Sequence, residues 1–148
     1  MPLQPISADP DGPSQGVALV RLEATDAAGK RLSTNFYWQA KDDAGFQALN
    51  TLAQVTLGTT ATSRIDAAET VTSVTLSNTS TTPAIETKLT VMNADGTQVL
   101  PAYFSDNYIS LLPGETRTVE IRYPTAKASS ARVALRGWNV AASGVSAR

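Results

Sequence analysis

The chain of 148 residues carries 12 basic and 13 acidic side chains, a formal charge of −1, with 42% apolar and 17% charged residues. That length can bury roughly 68–70% of its unfolded surface as one domain, with no metal or disulfide staple. It holds no His and no Cys, which excludes imidazole bases, His triads, thiol nucleophiles, Cys-zinc sites and disulfides; with no basic stripe and no apolar run near the ~18 residues of a spanning helix, nucleic acid and membrane are not expected partners.

Residues 1–15 carry Pro2, Pro5, Pro10 and Pro13 among Asp, Ser and Gly. Such a segment favours extended backbone and cannot build a core. It lacks the charged-then-apolar order of a signal peptide and reads as a linker or lead-in with a start Met added. "GVALVRLEA" (16–24) then opens a β-prone run, broken by "TDAAGK" with Asp26 and Gly29 as turn residues. "RLSTNFYWQ" (31–39) places Leu32, Thr34, Phe36 and Trp38 on one face at period two, a hairpin signature. In "AKDDAGFQALNTL", Asp42 or Asp43 is positioned to cap a short turn with Phe46 and Leu49 on its apolar face.

Strands recur from there. "AQVTL" sets Ala53, Val55 and Leu57 on one face, and "ETVTSVTLSN" turns Val74 and Leu76 inward. "AIETKLTVMN" alternates Ile85, Thr87, Leu89 and Val91 against Glu86, Lys88, Thr90 and Met92. "NADG" is a tight-turn signal. "TQVLP" and "YISLL" follow, then "LPGE", whose Pro-Gly centre is the type II pattern. "TRTVEIRY" points Val119, Ile121 and Tyr123 inward, and "ARVALRGWNV" is the last strand. "AASGVSAR" (141–148) reads as a flexible tail. About eight β-runs spaced mostly by 8–12 residues imply an all-β, immunoglobulin-like antiparallel sandwich over 16–140, of about 7–9 strands with at most a short connecting helix.

Candidate chemistry is sparse. The pairs Asp42/Asp43 and Asp106/Glu115 could hold the two carboxyls that a glycosidase sets about 5–10 Å apart, but their spacing does not require it, and solvated loop acids with a helix cap account for them. "NADG" offers Asn93 and Asp95, fewer ligands than a calcium loop needs. Asn78-Thr79-Ser80 fits the glycosylation sequon. Trp38 shares its phase with Phe36 and is expected between the sheets, whereas Trp138 falls out of phase with Val133 and Leu135 and is expected at a surface or interface. In "SDNYISLLPGE", Asp106 and Asn107 can bond nearby backbone and fix a corner, and Tyr108 can pack its ring and tie its hydroxyl to a neighbouring strand. Asp106, Asn107, Tyr108 and Trp138 are the candidates for contact with another domain or a sugar. No residue is assigned to catalysis, metal or cofactor.

The segments "NFYWQ", "FQALNTL", "LSNTSTTPAI", "LPAYFSDNYISLLPGETRTVEI" and "VALRGWNV" together resemble the C-terminal immunoglobulin-like domain of glycoside hydrolase family 2 enzymes, of the exo-β-glucosaminidase and mannosylglycoprotein endo-β-mannosidase type. The DNY…LLPGE hairpin followed by GWN is the most specific part. The resemblance implies a modular parent with a jelly-roll domain, immunoglobulin-like domains and a (β/α)₈ barrel whose glutamates do the chemistry. No segment here matches a barrel motif, so none of those glutamates is carried over. It implies a non-catalytic accessory module, monomeric as a fragment, that packs against the other domains of a periplasmic or extracellular parent. The alternative is a carbohydrate-binding module that stacks oligosaccharide on Trp138 or Tyr103.

Overall fold

The computed structural model describes residues 16–127 and 130–146; the expected linker at 1–15 and the last two residues of the expected tail lie outside them. The chain divides into two compact units, one ending at Leu52 and the next beginning at Ala53.

In the first unit, β1 (Ala18–Thr25) and β2 (Arg31–Gln39) form an antiparallel hairpin. Its loop is closed by Asp26, whose Oδ1 accepts the N–H groups of Ala28 and Lys30, both at 2.9 Å. Thr34, Phe36 and Trp38 are half-buried between exposed Asn35 and Tyr37, as period two requires, while Leu32 is exposed. Trp38 pairs with Leu19 across the hairpin and lies outside the buried cluster between the sheets, which corrects its expected place. Its phase along β2 was sound, but β2 belongs to a two-stranded sheet of its own. The helix α1 (Asp43–Phe46) is capped by Asp42, whose Oδ1 accepts the Gly45 N–H at 3.0 Å, and it runs into a 3₁₀ turn, Gln47–Thr51, where Leu49 is buried.

The second unit is the sandwich. One sheet orders β3 (Gly58–Asp66), β4 (Glu69–Ser77), β8 (Thr116–Pro124) and β6 (Tyr103–Phe104); the other orders β10 (Ser143–Ser146), β9 (Arg132–Arg136), β5 (Ala84–Met92) and β7 (Ile109–Leu111). Every ladder is antiparallel. In chain order the first sheet reproduces the A-B-E-D arrangement of immunoglobulin domains, and β5, β9 and β10 the C-F-G arrangement, with β7 added at the C edge. Val74 and Leu76 of β4, Leu89 and Val91 of β5, Val119 and Ile121 of β8, and Val133 and Leu135 of β9 meet in one buried cluster. Among them Tyr123 stays polar-satisfied: its hydroxyl lies 2.8 Å from Thr72 Oγ1.

Two expectations shift. "AQVTL" is not a strand. Val55 makes a single parallel bridge to Val140, donating to Asn139 O at 2.7 Å and accepting from Ala141 N at 2.9 Å, before the chain crosses into β3 of the other sheet. Likewise the expected tail carries β10, which pairs with β9 and packs Val145 against the core.

Candidate functional site

The segment between β6 and β7 is a built corner. Asn107 Oδ1 accepts the Leu89 N–H at 2.8 Å and its Nδ2 donates to Leu89 O at 3.1 Å. One side-chain amide thus supplies β5 with the pair of bonds a neighbouring strand residue would give. Asp106 Oδ2 accepts from Arg117 Nη2 at 2.7 Å, and its Oδ1 accepts the Asn107 N–H at 2.9 Å. Tyr108 takes φ +55°, a left-handed value that is uncommon outside glycine. Its ring is 54% exposed and faces Lys88, whose Nζ is 5.6 Å from the ring centroid. The aromatic face therefore meets a cation.

The Pro-Gly bend closes as expected. Gly114 has φ +81°, Glu115 N donates to Leu112 O at 3.1 Å, and Glu115 Oε2 accepts the Leu112 N–H at 2.7 Å. Buried Asn78 locks this bend to the end of β4. Its backbone exchanges bonds with Gly114 and Glu115, and its Nδ2 donates to Thr82 O and Leu111 O at 2.9 and 3.0 Å. Asn78 is 1% exposed, so the sequon's acceptor nitrogen is used inside the fold. Asp106, Glu115 and Asp42 each hold a different structural partner, and Asp95 closes its own turn. Bonds from the Thr97 side chain and then from its backbone hold the Asp95 carboxyl below its ordinary range.

"GWN" is a clamp. Asn139 Oδ1 accepts the Ile85 N–H at 2.9 Å, while Nδ2 donates to Ala53 O at 3.0 Å and Pro83 O at 2.8 Å. Gly137 lies so close to β5 that a Cβ there would sit 2.6 Å from Ile85 O. Trp138 N donates to Ile85 O at 2.9 Å, and the indole is 57% exposed. The clamps at Ile85 and Leu89 are four residues apart on β5, on either side of an irregularity where Glu86 takes φ +52°. The structure thus gathers Asp106, Asn107 and Tyr108 at one corner, on the β7 side of β5, and places Trp138 at a second point on the β9 side.

Sequence reasoning missed a third feature. A groove of about 480 Å³ crosses the outer face of β5, β9 and β10. Lys88 is paired with Arg136, Thr90 with Ala134, and Met92 with Arg132; Gly144 of β10 lies beside Ala134. Small residues make the floor and cations the rims. Among the described residues, no acidic side chain lines it. Glu86, two residues from Lys88, is outside the lining, and burial pushes its carboxyl above the ordinary range. The alternation in 84–92 already turned Lys88 and Met92 outward, but only strand register could align them with Arg136 and Arg132.

A family model described as the exo-beta-D-glucosaminidase Ig-fold domain matches residues 35–140. The exo-beta-D-glucosaminidase of Streptomyces avermitilis is 37% identical over 147 residues, spanning 83% of this chain and 16% of the relative. That of Amycolatopsis orientalis is 38% identical over 144 residues, spanning 82% and 14%. The mannosylglycoprotein endo-beta-mannosidase of Lilium longiflorum is 48% identical over 42 residues, spanning 28% and 4%. Among solved structures, the exo-chitosanase CsxA of Amycolatopsis orientalis superposes with a TM-score of 0.81 at 35% identity, covering 90% of this chain and 18% of that one.

Proposed function

From its membership of the exo-β-D-glucosaminidase Ig-fold domain family, to which this chain belongs, we propose that it is a non-catalytic accessory module that packs against the other domains of a parent glycosidase. One observation carries the reading: the likeness takes in 83% of this chain but only 16% of the relative, the proportion of a module in a larger enzyme. The geometry agrees with such a role. Tyr108 and Trp138 are exposed aromatic side chains on backbone already fixed by Asn107 and Asn139, and rigid aromatic anchors bind at low ordering cost. Asp106, Glu115 and Asp42, three of the four acids that sequence reasoning weighed for chemistry, are held by Arg117, Leu112 and Gly45.

A glucosamine-specific parent fits better than a mannose-specific one, because the Streptomyces and Amycolatopsis glucosaminidase matches run through more than four-fifths of this chain and the mannosidase match through 28%. The test uses PNP-β-D-glucosamine, the compound seen bound to a variant of CsxA. The purified chain should release no nitrophenol above buffer. Turnover that disappears in Asp106→Asn or Glu115→Gln would overturn the accessory reading. Titration with chitosan oligosaccharides, read by Trp fluorescence, covers the rival role; saturable quenching lost in Trp138→Ala would make the chain a sugar-binding module.

A further inference from the structure

We infer that the groove across the outer face of β5, β9 and β10 docks an extended, acidic polypeptide segment supplied by the rest of the parent protein. This rests on the accessory reading above.

Charge is the first argument. Lys88, Arg132 and Arg136 all line the groove, and among the described residues no carboxylate does. None of the three has an ion-pair partner among the described residues. The other sheet shows the contrast: on its outer face Arg64 and Arg122 both meet Glu120, and Arg122 also reaches Glu69. Cations left without counter-charges on one face only are complementary to an acidic partner. They also disfavour an amino sugar, whose ammonium group would meet like charge.

Shape is the second. The column Thr90–Ala134–Gly144 forms a low floor between two rims. Arg132 and Arg136 stand four residues apart on β9, roughly 13 Å along the strand. An extended peptide advances by the same amount in four residues, so acids at i and i+4 would meet both rims while apolar residues between them cover Met92 and Ala134. The occupant's source is the third. The matched relatives hold 84–86% of their length outside the matched region, as the complements of 16% and 14%. A tethered segment of that remainder would be present at high effective concentration.

The test titrates the whole ¹⁵N-labelled chain with a peptide of about ten residues repeating Glu-Thr-Val-Thr, which sets Glu and Val alternately along one face, with its Gln-for-Glu analogue as control. The inference expects saturable amide shifts confined to residues 88–92, 132–136 and 142–144, no such shifts with the Gln peptide, and binding weakened at least about tenfold by Lys88→Glu/Arg132→Glu/Arg136→Glu. Raising sodium chloride from about 50 mM to about 500 mM should weaken it similarly. The milder pair Arg132→Gln/Arg136→Gln guards against misfolding of the triple variant and should lose part of the affinity with an unchanged amide fingerprint. Equal binding of the Gln peptide, or binding unmoved by both variants, overturns the inference. Trigalacturonate or inorganic phosphate binding as tightly as the peptide overturns it too, and marks an adventitious ion only. No binding at all removes the docking site but leaves the accessory reading standing, since that is decided by the hydrolysis assay.

Discussion

Replacing Asn139 with Ala should destabilise the sandwich strongly. The side chain is 8% exposed and makes three hydrogen bonds, at 2.9, 3.0 and 2.8 Å, to segments beginning at Ala53, Pro83 and Ile85. A net loss of about 1 kcal/mol per bond gives about 3 kcal/mol, and the Ile85 N–H, left buried and unpaired, adds up to about 1–2 more. Against a total of roughly 5–15 kcal/mol for a domain this is a large fraction, and about 3–5 kcal/mol corresponds to a melting-temperature drop of roughly 6–20 °C for a chain of 148 residues. The chain has two tryptophans, so a Trp38→Phe background leaves Trp138, next to the clamp, as sole reporter of urea unfolding. Asn139→Asp is the sharper control: it keeps an acceptor for Ile85 but turns an oxygen toward the Ala53 and Pro83 carbonyls, and should cost no less than Ala. Asn93→Ala removes an exposed bond to Thr97 and should stay within about 0.5 kcal/mol. A loss below about 1 kcal/mol for Asn139→Ala would refute the reasoning, and would mean that the backbone bonds between Val55 and Asn139–Ala141 hold the junction alone.

Gly137→Ala should cost about 1–3 kcal/mol by overpacking, since its Cβ would press on both Ile85 O and Val140 Cγ2; thermal melts check this. Arg117→Ala should cost no more than about 1 kcal/mol, falling with salt, because both partners of the Asp106 ion pair are partly exposed; a double-mutant cycle with Asp106→Ala isolates the pair. Glu86 makes stability depend on pH. Its folded-state carboxyl titrates higher than in the unfolded chain because burial disfavours the charge, so its contribution is full at acid pH and is lost as pH rises through the carboxylate range. Denaturation of wild type and Glu86→Gln across that range should show wild type losing ground as pH rises; a constant difference would contradict the sign.

The sequence made the inner strands legible because two-sided sheets force alternation. Val74/Leu76, Leu89/Val91 and Val119/Ile121 repeat at period two, and those residues fill the core. It hid β3 because an edge strand needs little apolar pattern: "GTTATSRID" is largely exposed and only Thr59 and Ala61 are half-buried. It hid β10 for the same reason, a short run of Ser, Gly and Val at the far edge of its sheet. Trp138 could be read because its phase broke from Val133 and Leu135. Trp38 could not, because phase along one strand does not say which sheet the strand joins. The corner at Asp106–Tyr108 was half legible. That Asn107 bonds backbone follows from residue type, but its partner Leu89, eighteen positions away, follows only from the fold. The groove needed the alignment of three strands, which no local pattern encodes.

The motifs that carried the family resemblance have a common physical content. "LSN", "DNY" and "GWN" each contain an asparagine whose amide stands in for a missing backbone partner: Asn78 at the Pro-Gly bend, Asn107 on Leu89, Asn139 on Ile85 and the strand approaches. An amide offers both donor and acceptor, so it can satisfy an N–H and a C=O where a ladder ends, and unpaired groups at those places would be costly. The motifs that suggest the family therefore sit where the sandwich is closed. These motifs therefore report how the chain folds, and the backbone they fix presents exposed Tyr108 and Trp138.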